Sequence, residues 1–125
     1  MARATFRRDE RLTDARDFQH VFERRRSVSD DKLIVYGVEN GRAICRLGLS
    51  VGRKKVRRAH DRNRFKRVVR EAFRLSKAEL PAGVDLVVVP KSSARLSLAD
   101  VRLALPSLAQ AVARRLGPRP AKVAP

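Results

Sequence analysis

The side chains of this chain that could do chemistry are mostly cations. Between Arg53 and Arg74, 11 of 22 positions are Lys or Arg and only Asp61 and Glu71 are acidic, a local charge of +9. Guanidinium forks bind phosphate oxygens in pairs, and ammonium groups bind them as point charges. Wound at 100° per residue, Phe65, Val68, Val69, Ala72 and Phe73 share one face. Arg62, Asn63, Arg64, Lys66, Arg67, Arg70 and Arg74 take the rest of the circumference. A solvated helix face ordinarily mixes signs at i,i+4 spacing. This one does not, so a polyanion is implied. Asn63 places an amide, both donor and acceptor, inside the ridge. The apolar face is small and is needed for the core, which argues for nucleic acid over a lipid surface.

A second set is aromatic. Phe18 and Phe22 stand with Val21 on one helical stripe, and Tyr36 stands on one strand face with Ile34 and Val38. Such a stripe is most often core. If the helix covers only part of the sheet, the same rings form a cleft on which unpaired bases stack. No catalytic set accompanies them. Two-metal phosphate chemistry needs clustered carboxylates, whereas the acids are scattered. Asp30 and Asp31 are adjacent but point apart on an extended chain. His60 and Asp61 read as a loop histidine beside a helix-capping aspartate, a structural pair. The single cysteine, Cys45, excludes an intrachain disulfide and a cysteine-ligated metal, and two histidines make a zinc enzyme improbable. No catalytic or metal-ligating residue is expected in this chain.

Local patterns suggest the elements that must hold these groups. Residues 1–11 read as a basic flexible arm. A first helix spans Asp14 to Arg25, with Thr13 as its N-cap and Asp14 and Asp17 in its first turn. Ser27–Asp31 has room for a short edge strand. Lys32–Val38 is β-branched and aromatic, and Asn40-Gly41 signals a turn into a return strand, Ala43–Val51. Cys45, Leu47, Leu49 and Val51 share the face expected to be inward. Gly52–Asp61 is a cationic loop and Arg62–Lys77 the second helix. Val84–Val89 is a nearly continuous apolar strand, as for one buried on both sides. Ser97 and Asp100 make a weakened capping box before a third helix running to Leu116, with a kink or break expected at Pro106. Residues 12–116 are thus expected to form a single α/β domain that carries the nucleic-acid-binding ridge, and 117–125 a disordered, Pro-rich tail.

The 125 residues suit one domain, and a hydrophobic fraction of 43% supports a packed core. The formal net charge is +17. The longest apolar stretch is far short of a membrane span, and the N-terminus lacks the apolar segment of a secretory signal. A cytoplasmic protein is expected.

The run Arg62-Asn63-Arg64-Phe65-Lys66-Arg67-Val68-Val69-Arg70-Glu71-Ala72-Phe73-Arg74 resembles the Arg-Asn-Arg signature helix of the bacterial ribonuclease P protein component. Arg46–Val51 resembles the family's strand leading into that helix, and Leu12–Phe22 its first helix. The resemblance covers about Phe6 to Leu116. It implies an α+β fold: an α/β sandwich with a four-stranded sheet, three helices and a left-handed βαβ crossover, against the usual right-handed rule. It implies the protein subunit of a ribonucleoprotein endoribonuclease, a hydrolase that removes the 5′ leader of precursor tRNA in tRNA processing. The chemistry would belong to the RNA, with Mg²⁺ held mainly by that RNA. The partners implied are the catalytic RNA and precursor tRNA, with no membrane and no obligate protein partner. Carried over to this chain, the catalytic RNA would meet Arg53, Lys54, Lys55, Arg62, Asn63, Arg64, Lys66, Arg67 and Arg70. The leader would lie in a cleft at Phe18, Phe22 and Tyr36. The loop departs from the family's Lys-Lys-Val-Gly: here Lys54-Lys55-Val56-Arg57 ends in arginine, and the loop is one residue longer. His60 stands where an apolar residue is common, and Phe65 replaces an aliphatic one. The alternative is a small basic ribosomal protein binding rRNA. A DNA-binding architectural protein has less in its favour, because nothing here resembles a helix-turn-helix or zinc module.

Overall fold

A computed structural model describes residues 6–93 and 95–116. The most apolar segment takes the centre. Strand β4 (Val84–Pro90) lies between β2 (Leu33–Glu39) and β3 (Arg46–Leu49), and β1 (Ser27–Ser29) extends the edge, giving the order β1-β2-β4-β3. β4 pairs antiparallel with β2, from Leu33 opposite Pro90 to Glu39 opposite Val84, and parallel with β3. The Asn40-Gly41 turn forms, with Gly41 at φ +68°, but it does not close a hairpin. β2 and β3 are not partners, because β4 has both faces to bury and is inserted between them. Asn40 keeps the turn open. Its amide nitrogen donates to the Ile44 carbonyl (3.1 Å) and to Asp85 (2.9 Å), and its oxygen accepts from the Arg42 amide.

Helices cover both faces of the sheet. Helix α1 (Ala15–Arg24) lies on one face, where Leu12, Val21, Val38 and Val87 form a small buried cluster with Phe18, Phe22 and Tyr36 at its rim. Helices α2 (Ala59–Leu75) and α3 (Leu98–Leu116) lie on the other. There Phe65, Val69 and Phe73 of α2 and Val101, Leu105 and Val112 of α3 pack on Leu33, Val35, Leu47, Leu86 and Val88. β3, α2 and β4 make a βαβ crossover between neighbouring parallel strands.

Two helix starts and the interior of a third helix differ from the sequence expectation. Asp14, not Thr13, caps α1 by accepting from the Arg16 amide at 2.9 Å, which holds its carboxyl below the usual carboxylate range. α2 starts at Ala59 rather than Arg62, so His60 and Asp61 are helical, and Asp61 sits in the first turn where the dipole favours an acid. α3 runs unbroken through Pro106. A proline there removes one backbone bond, to the Arg102 carbonyl, while buried Leu105, Leu108, Ala109 and Val112 hold the helix on the sheet. Its capping box is complete: Asp100 accepts from the Ser97 amide and the Ser97 hydroxyl from the Asp100 amide, both at 3.1 Å.

Residues 1–5 of the expected arm, and the 117–125 tail, lie outside the described residues. The packed chain begins at Phe6 rather than Leu12. Phe6 meets Phe73 edge-on at 5.1 Å, Arg8–Glu10 form a 3-10 turn, and Arg11 bridges to Leu47 of β3. Glu10 is buried, and its carboxylate is paired with Lys77 at 2.8 Å.

Candidate nucleic-acid interface

The α2 ridge sorts its cations by what they already hold. Arg62 donates through Nη1 to the carbonyls of Val56 (3.0 Å) and Arg57 (2.7 Å), and Arg64 donates to the carbonyl of Leu96 (2.6 Å). These two guanidinium groups tie α2 to the segments on either side of its first turns. Asn63, Arg67 and Arg70 are exposed and Lys66 half-buried. None of the four makes a side-chain hydrogen bond or ion pair with another described residue. Glu71 pairs with Arg74, which lowers the carboxyl's pKa and raises that of the guanidinium, so the far end of the ridge is partly neutralised.

The loop before α2 is shaped by Val56. That side chain is buried and its amide donates to the Gly52 carbonyl at 3.0 Å. Arg53 and Lys54 are left exposed, while Lys55 reaches the Lys91 carbonyl at 3.0 Å. Among the described non-glycine residues only Arg25 has a positive φ. Arg57 therefore occupies ordinary backbone, which is why arginine is tolerated where the resemblance leads one to expect glycine.

Phe18, Phe22 and Tyr36 come together between α1 and the sheet. The Phe22 and Tyr36 rings meet edge-on, 4.9 Å apart at 72°. All three rings are half-buried, so each keeps a surface toward solvent. Gly48 makes room for Phe18: a Cβ there would stand 2.8 Å from two of its ring carbons. The same ring lines a pocket of 170 Å³ that Lys66 and Arg70 also line. A stacking surface and two unpaired cations, read separately along the sequence, are thus adjacent.

Sequence reasoning missed the group that fixes this arrangement. Asp85, an acid inside an apolar strand, is buried and takes two hydrogen bonds from Arg46, at 2.8 and 2.7 Å, and one from Asn40. Arg46 also reaches Asp17 of α1 at 3.7 Å. The chain from β4 through β3 to α1 pins the helix over the sheet. The signal available was an aspartate interrupting Val84–Val89. Cys45 lies beside this region, and burial, with smaller contributions from Asp85 and Glu10, pushes its thiol pKa up to about 12, which makes it a packing group rather than a nucleophile. His60 and Asp61 are 3.6 Å apart on the first turn of α2, His60 exposed and Asp61 half-buried. Among the described residues no three of His, Cys, Asp and Glu are grouped to hold a metal ion, and no helix is long and apolar enough to cross a membrane.

A model of the Ribonuclease P family matches residues 6–113. A Ribonuclease P protein component of Escherichia coli O139:H28 is 43% identical over 91 residues, covering 73% of this chain and 76% of the relative. One from Photorhabdus laumondii is 38% identical over 96 residues, covering 77% and 81%. Among solved structures, the RNase P protein from Thermotoga maritima is similar at 36% identity with a TM-score of 0.73, over 82% of this chain and 96% of that one. The RNase P protein of Staphylococcus aureus is similar at 27% identity and a TM-score of 0.70, over 82% and 94%.

Proposed function

The chain belongs to the bacterial ribonuclease P protein family, and on that premise we propose that its α2 ridge holds the catalytic RNA while its aromatic cleft holds the 5′ leader of precursor tRNA. The family is a subunit of a ribonucleoprotein endoribonuclease, and its partner is ribonuclease P RNA. The observation that carries the finer reading is the adjacency of Phe18 to Lys66 and Arg70 around one pocket. A stacking surface for unpaired bases next to cations for the catalytic RNA's phosphates lets one face of the protein hold the leader beside the catalytic RNA.

In this reading Arg53, Lys54, Asn63, Lys66, Arg67 and Arg70 meet the catalytic RNA directly. Arg62, Arg64 and Lys55 hold the loop and helix in register and add charge. Phe18, Phe22 and Tyr36 stack on the leader. In this reading Mg²⁺ is held by the RNA: Asp85, Glu10 and Glu71 are engaged by Arg46, Lys77 and Arg74, and among the described residues no three of His, Cys, Asp and Glu are grouped to hold a metal ion. The protein's contribution is to bind and position the two RNAs, in the cytoplasm where tRNA matures.

Reconstitution tests this. The chain is added to bacterial ribonuclease P RNA at low Mg²⁺ and precursor tRNA cleavage is followed. The expected result is stimulation of correct 5′ processing and no cleavage by the protein alone. Tyr36→Ala should weaken binding of precursor tRNA to the holoenzyme, by about 1–3 kcal/mol for a lost stacking contact, and leave mature tRNA unaffected. Equal loss for both substrates, or none for either, defeats the leader assignment.

A further inference from the structure

We propose that two adjoining pockets at the start of α2 bind one unpaired guanosine nucleotide of an RNA, the base in one pocket and its phosphate in the other. The inference rests on the reading of α2 as an RNA-facing helix. The first pocket, 230 Å³, lies between α2 and the segment after β4, and Val56, Phe65 and Leu96 give it apolar walls. The second, 330 Å³, is cationic, lined by Lys54, Lys55 and Arg57. Arg58 and Asp61 stand on the boundary and line both. The first chamber sets those apolar walls beside Arg58, Arg64 and Arg95, and the second is cationic, an arrangement that suits a flat base with hydrogen-bonding edges next to a charged phosphate.

Asp61 sets the base. It is the only carboxylate on either pocket. Its one partner at ion-pair distance among the described residues is the His60 imidazole, 3.6 Å away and largely exposed. An ionised carboxylate accepts hydrogen bonds and donates none. It therefore favours a base edge with two donors side by side. Guanine offers N1–H and N2–H₂ together. Adenine and cytosine set an acceptor beside their amino group, and uracil flanks its single N–H with carbonyls. Arg58 supports the phosphate half: it is the N-cap residue of α2 and supplies no side-chain cap, which leaves the helix's first amides without a capping side chain. Arg64 closes the first pocket by bonding the Leu96 carbonyl.

The test uses the full chain and the pentaribonucleotides UUGUU, UUIUU (inosine), UUAUU and UUUUU, with affinity read by fluorescence anisotropy and occupancy by NMR of the Val56, Val68 and Leu96 methyl groups. UUGUU is expected to bind about tenfold tighter than UUUUU, the lower part of what a paired base contact supplies, and to shift those methyl signals. UUIUU, lacking the N2 amine, falls between. Asp61→Asn should erase the preference while keeping the fold and binding UUUUU no more weakly than the wild type, and Arg67→Ala should weaken all four alike. If the wild-type chain shows no guanine preference, or Asp61→Asn retains it, the pocket inference is overturned. In either case a loss in Arg67→Ala leaves the RNA-facing reading of α2 standing. If no pentamer binds at all, that underlying reading fails as well. GMP binding as tightly as UUGUU would assign the pockets to a free nucleotide and overturn the RNA source.

Discussion

Arg62 and Arg64 stand on the same helix as Arg67 and Arg70 but differ in what their guanidinium groups already hold. The first two bond backbone carbonyls of Val56, Arg57 and Leu96, and the second two bond nothing among the described residues. Truncating Arg62 or Arg64 leaves carbonyl groups without their donors, at a cost of about 1–3 kcal/mol where the group is buried. Arg62→Ala and Arg64→Ala are therefore expected to lower the melting temperature as well as RNA affinity. Arg67→Ala and Arg70→Ala should lower affinity alone. Thermal melts paired with binding isotherms separate the two classes, and equal melts for all four would refute the distinction. A second residue-scale outcome concerns Gly48. A methyl group there would meet the Phe18 ring at 2.8 Å. Gly48→Ala should destabilise by roughly 1–3 kcal/mol, the range for overpacking a filled site. Because the ring must move, leader-dependent binding should fall while assembly with the catalytic RNA is spared.

At the scale of elements, the start of α3 carries a pH dependence. The Asp100 carboxyl is held below its usual range, first by the Ser97 backbone amide, then by the Ser97 side chain, with Lys32 adding to the shift. A carboxyl lowered in the folded state stabilises fully above its unfolded value, and that stabilisation disappears as pH falls through the lower folded value. Asp100→Asn should thus melt below wild type at neutral pH, and the gap should close in acid. A gap that stays constant with pH would show that charge at Asp100 contributes nothing. α1 is held differently. Its cap at Asp14 is local, but its place over the sheet depends on Arg46, which joins Asp17 to buried Asp85. Removing one partner of such a buried pair is costly because the other charge is left bare.

For the whole molecule, the +17 charge sets how binding answers to salt. Each phosphate neutralised releases condensed counterions, giving a log–log slope of about 0.7–0.9 per contact. Lys66→Ala and Arg67→Ala should each flatten the slope for the catalytic RNA by roughly one unit. Tyr36→Ala, which removes a π-face and no charge, should leave it unchanged. Isotherms across a salt series read both. An unaltered slope in the lysine and arginine variants, with the fold intact, would mean that neither side chain touches phosphate.

The sequence by itself determined the excess of cations, the helix that carries them and the aromatic set, because charge and hydrophobic period are properties of a single segment. Arg62–Arg74 shows its two faces at 100° per residue before any neighbour is known. It also marked β4 as a buried strand, since Val84–Val89 has a single polar residue, Asp85, and otherwise nothing polar to turn outward. Tertiary structure alone decided which strands pair. Asn40-Gly41 reads as a hairpin turn, yet β4 enters between β2 and β3, because burying both faces of the most apolar strand outweighs the local preference for a hairpin. It decided that Arg62 and Arg64 clamp backbone while Arg67 and Arg70 stay open, since the carbonyls they meet lie up to 32 positions away. It decided, too, that Phe18 and Lys66 share a pocket. Contacts between residues distant in the chain depend on how helices cross the sheet, and no pattern within one segment encodes that crossing.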